Sequence, residues 1–153
     1  MKRRQAREAV LCMLFDYGFH TEEKPEDLLE LYLHYFYDQK EDDISEEIRL
    51  DGYLSKVYFG VIANIDEIDG IIEKCSQKWS KKRISRISLS AIRIAIYEML
   101  YMDTGKDGIS PEISINEAVE LVKKYDSEDS YTFVNGVLGA AYRFIKEKKG
   151  ASE

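Results

Sequence analysis

The segment SLSAIRIAIYEML, residues 88–100, carries apolar side chains on nearly every face of the helix that its spacing predicts. A helix with one side in water would confine its apolar residues to a single stripe. This segment is therefore predicted to be a central helix surrounded by others, with Ser88 as its N-cap. Its apolar residues are Leu89, Ile92, Ile94, Ala95, Ile96, Met99 and Leu100.

On both sides of this segment, apolar residues recur at the helical steps of three and four. The first helix is predicted over roughly residues 3–19, and the sixth is predicted to run to about Tyr125. The pattern predicts about seven helices, so the fold class is all-α and the chain forms one domain. The C-terminal residues KEKKGASE are predicted to fray.

Polar residues mark where several of these helices begin. Pro25, followed by two acidic residues, is typical of a first helical position. Asn64 with Glu67, three residues later, predicts a cap pair that opens the fourth helix. Ser114 with Glu117 has the spacing of a capping box and predicts the start of the sixth helix.

The composition argues against several classes of function. The chain has 153 residues, a net charge of −7, and no apolar run near the ~20 residues that span a bilayer. Cys12 and Cys75 are far apart and lack metal-ligand spacing, and His20 and His34 are the only histidines. We therefore expect no disulfide framework, no metal site, no cofactor and no catalytic residues, in a protein of the reducing cytoplasm.

The basic residues are concentrated in two segments. Residues 1–20 place four bases ahead of the first acid, Glu8, and residues 74–93 contain seven bases and no acid. Local patches of this kind suit a polyanion even when the net charge is negative. The alternative interpretation is that both segments are ordinary solvated surfaces.

Arginines in these segments are the candidate phosphate ligands. Arg3 and Arg7 are four residues apart and are predicted to share a helix face, with Arg4 on a neighbouring face. Guanidinium groups spaced in this way bridge successive phosphates and stack on unpaired bases. Two interpretations of Arg93 stay open: its side chain faces phosphate, or it has a structural role. Asn116 and Asn135 are predicted to form a buried hydrogen-bonded pair.

Four motifs in this order resemble the NusB family of transcription antitermination factors, over essentially the whole chain. They are RRQARE (residues 3–8), IRIAIYE (92–98), INEAVEL (115–121) and FVNGVL (133–138). The resemblance implies a two-part helical fold: one domain over residues 1–148, with sub-bundles of roughly 1–65 and 66–148, and a frayed tail at 149–153.

The resemblance also implies partners. NusB-like proteins bind the boxA segment of nascent ribosomal RNA as a heterodimer with NusE, a protein of the small ribosomal subunit. They act with other Nus factors on RNA polymerase, and whether the free protein forms a homodimer is left open. Carried over by position, the RNA-facing residues are Arg3, Arg4, Arg7, Arg93, Glu128, Asp129, Tyr131 and Phe133.

For NusE, the resemblance implies contacts at Phe15 and around Ser88. Relatives often have a tyrosine at the position of Phe15, and some place carboxylates near the position of Ser88.

An alternative class of function is a helical adaptor that docks an acidic partner without reading RNA sequence. A third is an RNA-modifying enzyme, which would need a cofactor-binding domain from a second chain.

Overall fold

The computed structural model describes residues 3–19, 24–37, 52–77, 84–103, 108–127 and 129–151, with side chains omitted at 33–37 and 151. Every regular element in these ranges is a helix, which confirms the all-α prediction. The helices are α1 (Arg3–Tyr17), α2 (Pro25–Tyr37), α3 (Tyr53–Ala63), α4 (Ile65–Cys75), α5 (Arg86–Tyr101), α6 (Pro111–Tyr125) and α7 (Ser130–Ala151).

The chain divides into two compact units. Unit 1 is Met1–Ala63 and contains α1 to α3, and unit 2 is Asn64–Glu153 and contains α4 to α7. The boundary between the two units lies between residues 63 and 64. The family resemblance implies a boundary near 65/66.

Unit 1 forms its core where α1 packs on α2 and α3. The helix start predicted at Pro25 is confirmed, and Glu26 and Asp27 occupy the first turn of α2, where the helix dipole favours acids. The Tyr58 hydroxyl donates a 3.0 Å hydrogen bond to the Pro25 carbonyl and so ties α3 to this start. The buried apolar residues are Ala6, Val10, Leu11, Met13, Leu14, Leu28, Leu29, Leu54, Val57, Tyr58 and Val61.

Unit 2 is organised around α5, which packs against α4, α6 and α7. Ten of its sixteen residues are buried, so the prediction that this helix is central is confirmed. Burying each large aliphatic side chain contributes about 1.5–3 kcal/mol, which makes α5 the main source of hydrophobic stabilisation in this unit.

The predicted helix caps at Ser88 and Ser114 are wrong by one turn. The N-cap of α5 is Ser85, whose Oγ accepts from the Ser88 backbone N–H at 3.0 Å. The N-cap of α6 is Ser110, whose Oγ accepts from the Ile113 backbone N–H at 3.4 Å, with Pro111 beginning the helix. Ser88 and Ser114 lie inside their helices and are buried, where their hydroxyls bond to carboxylates instead.

Asn64 is the N-cap of α4, as predicted, but its side chain makes no cap hydrogen bond. Instead, both Asn64 and Glu67 accept hydrogen bonds from the Tyr101 hydroxyl at the end of α5. The bond to Glu67, with smaller effects of burial and charge, raises the pKa of Tyr101 to about 12. The pair therefore joins α4 to α5 rather than closing a capping box.

The C-terminal helix is longer than predicted. Helix α7 continues through Ala151, so the fraying predicted for KEKKGASE (residues 146–153), and for the tail from 149 onward, is wrong for residues 146–151, and residues 152–153 lie outside the described ranges. The Lys149 ammonium donates to the Met99 carbonyl at 2.9 Å and to the Asp103 carboxylate at 3.2 Å. These two bonds hold the last turn of α7 against the end of α5.

A carboxylate is completely enclosed in unit 2. Glu98 on α5 has no exposed surface, and its Oε1 accepts a 2.7 Å hydrogen bond from the Ser114 hydroxyl on α6. A buried carboxylate is stable only when its oxygens have hydrogen-bond donors. This bond therefore fixes the register of α6 on α5.

We expect Ser114→Ala to lower the free energy of unfolding by about 1–3 kcal/mol, because it removes a donor from a buried carboxylate. Ser76→Ala is the matched control, since Ser76 is equally buried and its hydroxyl has no hydrogen-bond partner among the described residues. Urea unfolding of both variants measures the difference. Equal destabilisation would contradict the assigned role of Ser114.

Candidate nucleic-acid interface

The three arginines of α1 differ in exposure. Arg3 and Arg4 are exposed, whereas Arg7 is 4% exposed. The Arg3 and Arg7 guanidinium carbons lie 4.7 Å and 5.4 Å from the centre of the Tyr53 ring, at the start of α3. The prediction that Arg3 and Arg7 share a helix face is therefore confirmed.

This arrangement places cations where a helix does not favour them. The first turn of α1 contains no acid, and the helix dipole disfavours positive charge there by a few tenths of a kcal/mol. Guanidinium groups stay charged, and cations one turn apart repel each other. The negative face of the Tyr53 ring offsets part of this repulsion.

In unit 2, Arg93 is held by an ion pair. Its Nε and Nη2 atoms donate to the two carboxylate oxygens of Asp69 on α4, at 2.9 Å and 2.8 Å. The Arg93 side chain is 21% exposed and the Asp69 side chain 40% exposed. Arg93 thus has a structural partner and also reaches the surface, where its remaining N–H groups point away from the bidentate bond.

The end of α6 and the start of α7 bring lysine and aromatic side chains together. Asp129 and Tyr131 are exposed and Phe133 is half-buried, whereas Glu128 lies outside the described residues. The Lys123 ammonium lies 5.0 Å from the centre of the Tyr131 ring, and the Lys124 ammonium lies 5.2 Å from that of Tyr125. Exposed rings beside cations are suited to stacking bases and holding phosphates.

Asp126 fixes this turn to the start of α5. Its Oδ2 accepts hydrogen bonds from the hydroxyls of Ser85 and Ser88, the latter at 2.7 Å. Its Oδ1 accepts from the Ser127 backbone N–H at 2.8 Å. Partial burial alone would raise the pKa of Asp126, but the hydrogen bonds from these groups and from Ser130 outweigh it and lower the pKa.

The two predicted NusE-binding residues have different surroundings. Phe15 is half-buried, and its ring meets Phe19 edge-on at 5.1 Å, with Phe19 55% exposed. Ser88 is 1% exposed and its hydroxyl is used by Asp126. The surface at the start of α5 is therefore formed by neighbours such as Arg86 rather than by the Ser88 hydroxyl.

The predicted buried pair of Asn116 and Asn135 is wrong, because both side chains are exposed. The core-facing residues of α6 begin at Ala118 and Val119. A residue two positions before Ala118 points to nearly the opposite side of the helix, so Asn116 faces water.

Sequence reasoning missed several residues that organise the site: Tyr53, Asp69, Lys123 and Asp126. Tyr53 meets Arg3 and Arg7 across about fifty positions of sequence, and Asp69 meets Arg93 across 24. No local pattern reports such contacts, because they depend on how helices pack. Lys123 and Tyr131 are closer in sequence, but only the turn between their helices brings them together.

In the described ranges, no helix combines the length and the apolar character required to cross a membrane. Those ranges also contain no group of three or more histidine, cysteine or acidic side chains arranged to hold a metal ion.

The fold and the site define a class: an all-helical protein of two helical units, whose surfaces combine arginine, lysine and aromatic side chains. The NusB family model matches residues 4–143. The transcription antitermination protein NusB of Thermoanaerobacter sp. (strain X514) is 40% identical over 152 residues, covering 99% of this chain and 98% of the relative. The NusB protein of Acetivibrio thermocellus is 37% identical over 139 residues, covering 91% of this chain and 87% of the relative. The chain belongs to the NusB family.

Solved structures agree with this assignment. NusB of T. maritima superposes with a TM-score of 0.73 at 33% identity, covering 94% of this chain and 92% of that one. A crystal structure of the antitermination factors NusB and NusE in complex with dsRNA superposes with a TM-score of 0.71 at 28% identity, covering 92% of this chain and 96% of the matched chain.

The Asp126 hydrogen bonds predict an acid-sensitive contribution to stability. Because the folded-state pKa is lowered, the carboxylate stabilises the fold fully above its ordinary pKa of 3.8, and this contribution is lost as the pH falls below it. Asp126→Asn should flatten the fall in the free energy of unfolding between pH 5 and pH 3, approximately the range of that titration. Urea unfolding across this range measures it.

Ser88→Ala is the companion variant, because it removes one donor and leaves the carboxylate in place. We expect it to flatten the same pH dependence by a smaller amount than Asp126→Asn. An unchanged pH dependence in both variants would contradict the role assigned to Asp126.

Proposed function

We propose that this protein is a transcription antitermination factor. It binds boxA-type single-stranded RNA of nascent ribosomal RNA transcripts together with NusE, and it helps RNA polymerase read through terminators. Family membership across residues 4–143 is the observation that carries the proposal. The similarity to a NusB that was crystallised with NusE and dsRNA supports RNA and NusE as partners.

Each proposed RNA contact has a chemical role. Arg3 and Arg4 are exposed and hold phosphates, while the buried Arg7 lies on the same helix face as Arg3. Arg93 adds a guanidinium on α5. In the first turn of α7, Tyr131 and Phe133 stack on unpaired bases. The carboxylates of Glu128 and Asp129, which precede this helix in the sequence, accept hydrogen bonds from base amino groups.

NusE is proposed to contact the Phe15–Phe19 ring pair and the surface at the start of α5. Exposed aromatic rings supply large apolar contact area at low entropic cost, which suits a protein interface. The protein interacts indirectly, through this complex, with other Nus factors and with RNA polymerase. The role is non-catalytic and cytoplasmic, as membership in a family of transcription antitermination proteins supports.

The first test is fluorescence anisotropy of a labelled boxA-like RNA and a scrambled RNA, each titrated with and without NusE. We expect tighter binding to the boxA-like RNA and a further gain with NusE, which linkage requires to be reciprocal. Equal, weak, salt-sensitive binding to both RNAs, unaffected by NusE, would reject the proposal and favour the adaptor class.

The arginine contacts predict a specific salt dependence. Arg3→Ala or Arg4→Ala should each weaken RNA binding and reduce the slope of log K against log salt by about 0.7, the value for one lost contact on a single strand. Arg7→Ala should weaken binding as well. Lys146→Ala is the control: it removes the same charge from an exposed site near Tyr142, outside the proposed interface. A slope that is equal in all four variants would remove α1 from the site.

The ion pair of Arg93 allows its role to be tested directly. Asp69→Asn removes the competing carboxylate, so a phosphate-facing Arg93 should bind RNA about two- to fivefold more tightly. Asp103→Asn is the matched control, because it also removes one negative charge that is paired with a cation, Lys149, elsewhere in unit 2. Equal effects of the two substitutions on RNA affinity would assign Arg93 a purely structural role.

A further inference from the structure

Tyr53 is the residue on which two of the proposed RNA-binding arginines converge. The guanidinium carbons of Arg3 and Arg7 lie 4.7 Å and 5.4 Å from its ring centre, both within the range of a cation–π interaction. Tyr53 is half-buried, Arg7 is buried and Arg3 is exposed. The three side chains, here called the Tyr53 cluster, thus run from the core of unit 1 to its surface.

The cluster contains an exposed cation at a place where a helix does not favour one. Arg3 lies in the first turn of α1, where the helix dipole disfavours a cation, and it repels the Arg7 cation one helical turn away. A free arginine side chain also has many rotamers, and holding one in place costs entropy. The ring of Tyr53 offsets the repulsion and restricts the Arg3 guanidinium to one region of the surface.

We propose that Tyr53 is a positioning residue for RNA, which holds the exposed Arg3 guanidinium ready for a phosphate of the single strand while Arg7 supports the ring from the buried side. This inference rests on the proposed function and adds to it a residue that no motif indicates. Contact with the ring uses none of the N–H groups of Arg3 as hydrogen-bond donors to an oxygen, so the ring and the phosphate do not compete for those groups.

The first test compares two substitutions of Tyr53 by anisotropy with the boxA-like RNA. Tyr53→Leu removes the ring and should weaken RNA binding about three- to tenfold, because the flexible Arg3 side chain must then be immobilised when RNA binds. Tyr53→Phe keeps the ring and should stay within about twofold of the parent protein. Tyr142→Leu is the matched control, because this half-buried tyrosine also lies beneath a cation, Lys146, away from the proposed interface.

A double-mutant cycle separates positioning from a general structural role. If Tyr53 acts through Arg3, Tyr53→Leu should have little further effect on RNA affinity once Arg3 is replaced by alanine. A full and additive effect in the Arg3→Ala background would overturn the proposal. The affinity for NusE and the thermal unfolding midpoint are measured for the same variants. If either of them falls in proportion to the RNA affinity, Tyr53 has a general structural role and the proposal is overturned.

Arg3→Lys provides a test that does not depend on folding of the Tyr53→Leu variant. Lysine keeps the charge but lacks the flat guanidinium, so it should lose several-fold in RNA affinity if stacking on the ring matters. Affinity equal to that of the parent would overturn the proposal. Absence of boxA preference in the parent protein itself would instead reject the proposed function, so the two failures are distinguishable.

Discussion

Burial of α5 is the constraint on which unit 2 depends. This helix has ten buried residues in sixteen, so α4, α6 and α7 must cover it from several sides. Its buried positions include Glu98, whose side-chain oxygens need hydrogen-bond donors inside the core. The Ser114 hydroxyl supplies one such donor from α6 and so joins α6 to α5.

Serines perform paired tasks at the starts of α5 and α6. In each case the outer serine, Ser85 or Ser110, caps the helix, and an inner serine, Ser88 or Ser114, donates to a carboxylate. The cap satisfies a backbone N–H that helix geometry leaves open, and the inner hydroxyl satisfies an acid that packing has enclosed. One type of residue therefore both begins a helix and joins it to a neighbour.

The arginines of the proposed interface are held before any RNA arrives. Arg3 and Arg7 lie against an aromatic ring, and Arg93 is fixed by both oxygens of Asp69. The ring contact of Arg3 and the two hydrogen bonds of Arg93 to Asp69 leave further N–H donors on each of these two guanidinium groups, so both side chains are held in place and can still donate to phosphate. Ordering these side chains in advance lowers the entropy lost on binding a flexible single strand.

The all-α class, the central position of α5, the start of α2 at Pro25 and the common face of Arg3 and Arg7 follow from the sequence by itself. Each depends on the helical period or on local backbone chemistry, which act over a few residues. Tertiary structure alone decided four other features. They are the register of the caps, the exposure of Asn116 and Asn135, the helical end of α7, and the partners of Arg93 and Tyr53. These features depend on which distant groups packing brings within a few ångströms, and one residue of rotation on a helix changes that set.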